Sequence, residues 1–364
     1  MKKYSNQRIN FVRSKEGKRM KELTAYQRVM QVFEGKRPDR IPVIPQITYT
    51  TAQLTGVGLV EALHNPEKTA EALLTGQREL GYDAIYVGWE SSFNLLAEAM
   101  GCAMRFPKNS VPQVIDHVIK TPSDVESLEI PDPMKVGRLP LHMDMLRRIR
   151  AEVKGKVPLF AYTPGPFTLA GQLYGINKLM AATIQDPQFV RALVDKTTIT
   201  STLYARANVK EGIDVVVTAD PTASGSLISP KTFETFAAPH LKHIMMGVAK
   251  VGAMPSLHIC GKTTPLLKLM ANTGARVLEL DHLVNLQEAK SLVGDRVVMM
   301  GNLDPTNLLL NGTPAEVEQA SKVLIETIGS DGRYILSSGC EIPPNAPLEN
   351  IRAMVTAAEK FGQF

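Results

Sequence analysis

The chain has 364 residues, 44% apolar and 21% charged, with three cysteines and a formal net charge of +5. This length suits one barrel-sized domain with a large core, and the composition excludes a disordered chain or a disulfide-stapled one. The charge is uneven: residues 1–20 carry seven cations against Glu16, a net +6, so the remainder is near −1 and has no electrostatic case for binding nucleic acid.

Residues 1–20 read as a basic N-terminal tail, a solvated and poorly ordered arm. No hydrophobic stretch follows it, so it is no secretory signal. No apolar run reaches the length needed to span a bilayer, which makes a cytoplasmic location the expectation and excludes a membrane partner. In a reducing compartment Cys102, Cys260 and Cys340 are buried fillers, metal ligands or nucleophiles.

Residues 21–364 read as a single domain in which short β-rich runs alternate with helical patterns. The first strand is expected at Arg40–Ile47, then a helix at Pro66–Leu80 and a strand at Ala84–Trp89. Ala103–Lys120 alternates and carries turn residues, so it reads as an inserted hairpin. Next come a helix at Pro140–Val153, a strand at Pro158–Thr163, a helix at Asp186–Glu211 and a strand at Asp214–Asp220. Pro230–Val251, Thr264–Thr273, Leu286–Val293, Pro314–Ile328 and Pro347–Phe361 are helical, and strands at Pro255–Cys260, Val277–Asp281, Val297–Asn302 and Tyr334–Cys340 fall between them. Thr313-Pro314 with Glu316 is a capping box, and Ser229-Pro230 and Asn65-Pro66 repeat the cap-then-proline start. Runs such as Val215-Val216-Val217 belong to strands buried on both faces, hence to a parallel sheet. Eight such strands close into an α/β (β/α)₈ TIM barrel. An open doubly wound sheet is the alternative, weakened by the lack of a Gly-x-Gly-x-x-Gly turn.

Barrel chemistry sits at the C-terminal strand ends. Those ends are Trp89-Glu90, Tyr162-Thr163, Asp220, His258-Ile259-Cys260, Glu279-Leu280-Asp281-His282, Asn302-Leu303-Asp304 and Cys340-Glu341. His258 and Cys260 are two apart on a strand, so both leave the same face. Cys340 approaches from another strand. One imidazole and two thiolates form a favoured Zn²⁺ set, and three protein ligands leave a fourth position for substrate. Glu279 is a candidate occasional fourth ligand. As a bare spacing the trio is weak evidence, because buried cysteine is common. Asp220, Glu279, Asp281 and Asp304 read equally well as caps or loop-fixing acceptors, His282 as a surface histidine and Cys102 as a core filler.

These residues resemble the uroporphyrinogen decarboxylase superfamily from about residue 24. The resemblance rests on Gly35-Lys36-Arg37-Pro38-Asp39-Arg40-Ile41-Pro42-Val43, Asp220-Pro221-Thr222-Ala223-Ser224, His258-Ile259-Cys260-Gly261, Met300-Gly301-Asn302-Leu303-Asp304-Pro305 and Ser338-Gly339-Cys340-Glu341-Ile342-Pro343-Pro344. The His-x-Cys pair and the distant Cys look like its zinc-dependent branch, the methylcobamide:coenzyme M methyltransferases. That resemblance implies Zn²⁺ on His258, Cys260 and Cys340, a methylcobamide donor on a separate corrinoid protein, and a small thiol acceptor such as coenzyme M. Asp220 and Asn302 are the candidate orienting residues. Two alternatives stand beside it. One is uroporphyrinogen decarboxylation, opposed by Pro45-Gln46-Ile47-Thr48-Tyr49, which lacks the arginines of the decarboxylase pattern. The other is a zinc- or corrinoid-protein-binding methyl-transfer component without turnover of its own.

Overall fold

The computed structural model describes residues 11–13, 19–88, 93–108 and 111–364. Of the basic tail it describes β1 (Phe11–Arg13) and β2 (Arg19–Lys21), which pair antiparallel. The rest of that tail, and the strand end Trp89-Glu90, lie outside the described residues.

Seven parallel strands carry the domain: β3 (Ile85–Val87), β6 (Leu159–Pro164), β7 (Val215–Ala219), β8 (Met254–Ile259), β9 (Val277–Leu280), β10 (Val298–Leu303) and β11 (Tyr334–Ser338). They are hydrogen-bonded in the order β11-β10-β9-β8-β7-β6-β3. The inserted hairpin is β4 (Ala103–Arg105) against β5 (Gln113–Asp116), with a bulge at Ala103/Met104. The fold is the expected α/β barrel type, with helices between successive strands.

The expected first strand, Arg40–Ile47, is a correction. Pro42 and Pro45 have no N–H to give a ladder, so the segment is extended but makes only scattered bonds. Leu336 N–H donates to Pro42 O, Ile44 N–H to Leu336 O and Asp83 N–H to Val43 O. These contacts lay it between the two edge strands, β11 and β3, where the eighth stave belongs. Side-chain charge substitutes for the missing ladder. Asp83 Oδ2 accepts from Val43 N at 2.8 Å and from Arg40 Nη1 at 2.7 Å, while Arg28 bridges Asp39 and Asp83, both at 2.7 Å. All four charged side chains are buried.

The helix Ala25–Phe33 closes the barrel end where the strands begin. It was absent from the expected elements. Val29, Val32 and Phe33 belong to one buried cluster with the lumen residues Ile44, Tyr86, Phe160, Val215, Val277, Val298 and Ile335. A second, larger cluster fills the layer between strands and outer helices, and Cys102 is buried in it as a filler.

The helices Pro66–Leu80, Leu286–Val293 and Pro314–Ile328 have the expected bounds, and the Thr313–Glu316 capping box forms. Pro230–Val251 is instead two helices, Pro230–Phe236 and Ala238–Lys250, broken at Ala237 just before Pro239. The helix Pro166–Tyr174 gave no amphipathic signal because nearly all of it is buried. No helix of the described residues is long and apolar enough to cross a membrane.

Candidate metal centre

β8 ends in His258 and Ile259, and Cys260 follows. Strand alternation turns His258 and Cys260 the same way, and His258 Nε2 lies 3.0 Å from Cys260 Sγ. Cys340 comes two residues after β11, three strands away from β8, with its sulfur 3.6 Å from that of Cys260. The three ligand atoms all fall within 4.8 Å of one another, and no other group of three or more His, Cys, Asp or Glu among the described residues converges in this way. A Cβ on Gly339 would sit 2.4 Å from the main-chain nitrogen of His282. That close approach of two backbones is what brings Cys340 in.

The loops behind the trio are fixed by polar contacts. His258 Nδ1 donates to Glu279 O at 3.2 Å, which leaves Nε2 as the lone-pair atom facing the sulfurs. Ser224 Oγ donates to Cys260 O at 2.6 Å, and Gly261 N–H donates to Asp281 Oδ2 at 2.8 Å. The Cys260 sulfur beside it, and then burial, push the Cys340 thiol well above the ordinary thiol range. Two adjacent thiols resist ionising together, and a cation between them reverses that preference.

The other candidate residues take different places. Glu279 is fully buried, but its carboxylate accepts from Tyr86 Oη at 2.8 Å and Ser256 Oγ at 2.7 Å. Each oxygen accepts one hydrogen bond, and the residue stands outside the group of three that converges within 4.8 Å. Asp220 Oδ1 accepts from the main-chain N and the hydroxyl of Thr168, both at 2.7 Å, in the first turn of Pro166–Tyr174. Its Oδ2 has no partner among the described residues, and burial pushes this carboxyl up to about 6. Asn302 Nδ2 donates to Asp281 O at 2.9 Å and Val284 O at 2.7 Å, so it positions the loop that holds Gly261. Asp304 caps its own turn through Thr306 N and Asn307 N. His282 lies between Asp281 and Asp304, at 3.0 and 3.6 Å.

Two residues beside the trio carried no assigned role in the sequence. Glu341 directly follows Cys340; its Oε1 accepts from Thr48 N at 2.9 Å and Thr48 Oγ1 at 2.5 Å, and burial pushes its carboxyl up to about 7. Gln46 is 1% exposed and accepts through Oε1 from Tyr162 Oη at 3.0 Å. Adjacency to Cys340 was the available signal for Glu341; Gln46 had none. The buried arginines Arg28, Arg40 and Arg138 pair with Asp39, Asp83 and Glu98, away from the trio.

A (β/α)₈-type barrel with imidazole and two thiols converging at its strand ends defines a class of barrel proteins with a candidate metal centre at the mouth. The family described as uroporphyrinogen decarboxylase (URO-D) matches residues 24–361, and the chain belongs to that family. The methylcobamide:CoM methyltransferase MtaA of Methanosarcina barkeri is 31% identical over 348 residues, 94% of this chain and 99% of that one. A uroporphyrinogen decarboxylase of Geobacter metallireducens is 30% identical over 355 residues, 92% of this chain and 99% of that one. The solved structure of a methyltransferase from Methanosarcina mazei superposes with a TM-score of 0.86 at 30% identity, covering 93% of this chain and 99% of that chain. Relatives named for each of the two activities are thus about equally identical to this chain.

Proposed function

We propose that the chain is a methyltransferase that moves a methyl group from a methylated cobamide, presented by a corrinoid protein, to a small thiol. The observation that carries this reading is the convergence of His258, Cys260 and Cys340 within 4.8 Å. Tetrahedral Zn²⁺, with Zn–S about 2.3 Å and Zn–N about 2.0–2.1 Å, needs sulfurs about 3.8 Å apart and nitrogen about 3.6 Å from sulfur. The sulfur pair at 3.6 Å fits that set, and the nitrogen–sulfur pair at 3.0 Å is slightly closer. The trio supplies three ligands, the number that leaves a coordination position for substrate. Relatives such as MtaA, with that activity in their names, support the reading.

When bound there, Zn²⁺ supplies acidification of a thiol, which otherwise has a pKa of about 8.5. The chain's own residues do the rest. Two cysteinates and a neutral imidazole balance the dication, so a thiol held beside them stays electron-rich. The Glu279 carbonyl keeps His258 in the one tautomer that can serve. In the reaction the thiolate sulfur forms a bond to the methyl carbon, the carbon–cobalt bond breaks, and its electron pair stays with cobalt as cob(I)amide. The thiol proton leaves to solvent. The mouth aligns sulfur, carbon and cobalt in line, which is the entropic part of the catalysis.

The test is metal analysis by emission spectrometry, followed by anaerobic methyl transfer from methylcobalamin to 2-mercaptoethanesulfonate and 2-mercaptoethanol, read as cob(I)alamin absorbance. One zinc per chain and thiol-dependent cob(I)alamin are expected, both lost in Cys260→Ser. Turnover of uroporphyrinogen without methyl transfer would overturn the reading in favour of the decarboxylase. Zinc without turnover, given methylcobalamin or a methylated corrinoid protein, would reduce the chain to a binding component.

A further inference from the structure

The lumen beneath the trio is lined by polar side chains, several of which pair with one another. Tyr86 and Ser256 satisfy Glu279, Thr48 engages Glu341, and Tyr162 engages Gln46. Two buried atoms there have no partner among the described residues, the acceptor Glu341 Oε2 and the donor Gln46 Nε2. Leaving such an N–H unpaired costs free energy, so an unmatched one needs an explanation.

Its position supplies one. The Gln46 main chain brackets Cys340: Gln46 N donates to Ser338 Oγ at 3.0 Å, and Ile342 N donates to Gln46 O at 2.8 Å. The hydroxyl that holds its Oε1, on Tyr162, is near enough to Cys340, Cys260, Glu279 and Glu341 to feel their charges. The irregular segment that replaces the eighth strand therefore delivers an amide donor to the wall beside the trio.

We infer that Gln46 Nε2 is a substrate-binding donor, meeting a hydrogen-bond acceptor on the tail of the thiol: a hydroxyl, carboxylate or sulfonate. This rests on the thiol-methylation reading and names the acceptor's chemistry within it.

The experiment compares the zinc-loaded full chain with Gln46→Met and Gln46→Glu, using methylcobalamin as donor. The thiols are 2-mercaptoethanol, ethanethiol, which lacks the acceptor group, and 2-aminoethanethiol. Gln46→Met is expected to raise the KM for 2-mercaptoethanol about tenfold, the scale of one lost buried hydrogen bond, while the KM for ethanethiol and the zinc content stay within about twofold. Gln46→Glu keeps an oxygen towards Tyr162 and exchanges the donor for an acceptor, so it should shift preference towards 2-aminoethanethiol; it decides the matter if the methionine variant folds poorly. Equal KM changes for 2-mercaptoethanol and ethanethiol, or none for either, would overturn the inference while leaving methyl transfer intact; that is the result expected if an ordered water satisfies Nε2. Absence of methylation by the unsubstituted protein would remove the parent reading and this one together.

Discussion

His258 donates through Nδ1 to the main-chain carbonyl of Glu279 at 3.2 Å, so its Nε2 faces the sulfur of Cys260. The contact uses the backbone of Glu279, while the carboxylate of the same residue is committed to Tyr86 and Ser256 on the lumen side. One residue thereby orients the His258 ring through its backbone while its side chain is held by two other strands.

Cys340→Ser should lower zinc affinity by more than about a hundredfold, since loss of a supporting contact alone costs about 10–100-fold. Competition with a chromophoric chelator measures it. Affinity equal to that of the unsubstituted chain would take Cys340 out of the ligand set.

Glu279→Gln keeps the main-chain carbonyl, so zinc affinity should stay within about tenfold. A loss as large as that of Cys340→Ser would make Glu279 a ligand.

Asp83→Asn leaves Arg28 and Arg40 short of a buried counter-charge and should destabilise the fold by about 3–5 kcal/mol. Urea unfolding measures this. Zinc content of the folded fraction should not change, because the cluster sits where the strands begin. A change under about 1 kcal/mol would show that the segment 40–47 is held by other contacts.

His142 gives a pH dependence. It is buried in the helix Leu139–Val153 with Nε2 3.1 Å from Asn208 Oδ1, and burial lowers it from 6.5 to about 4. Between those values the unfolded chain binds the proton and the folded chain does not. The associated stability is therefore full above about pH 6.5, falls as the pH drops towards 4, and is about 2 kcal/mol lower at pH 5. Urea unfolding at pH 7.5 and pH 5 should show that difference, reduced in His142→Gln. An unchanged pH slope in the variant would mean that other groups produce it.

Gly165→Ala puts a Cβ 2.2 Å from the Cβ and Cγ of Asp220, a clash with a side chain that is itself held at Thr168. Asp220 would have to leave the helix start, at a cost of about 1–3 kcal/mol from strain and a lost cap. Thermal unfolding reads the stability, and methyl transfer shows whether Asp220 also matters at the mouth. A variant as stable as its parent would mean the helix start moves aside freely.

The outer architecture was legible in local pattern. Val215-Val216-Val217 marked a strand buried on both faces, and Asn65-Pro66 and Thr313-Pro314 with Glu316 marked helix starts, because these signals depend only on residues adjacent in the chain. His258 and Cys260 were legible for the same reason, since strand alternation alone puts them on one face. Tertiary structure decided the rest. Cys340 meets Cys260 across 80 residues of chain through the close backbone approach at Gly339. Glu279 meets Tyr86, 193 residues away, a partner no local pattern announces. Arg40–Ile47 looked like a strand because its apolar residues fit one, yet two prolines and a buried ion cluster set its path and carry Gln46 to the wall beside Cys340. Periodicity reports which face a residue occupies, whereas hydrogen-bond partners across the barrel are chosen by strand register and packing between segments far apart in the chain.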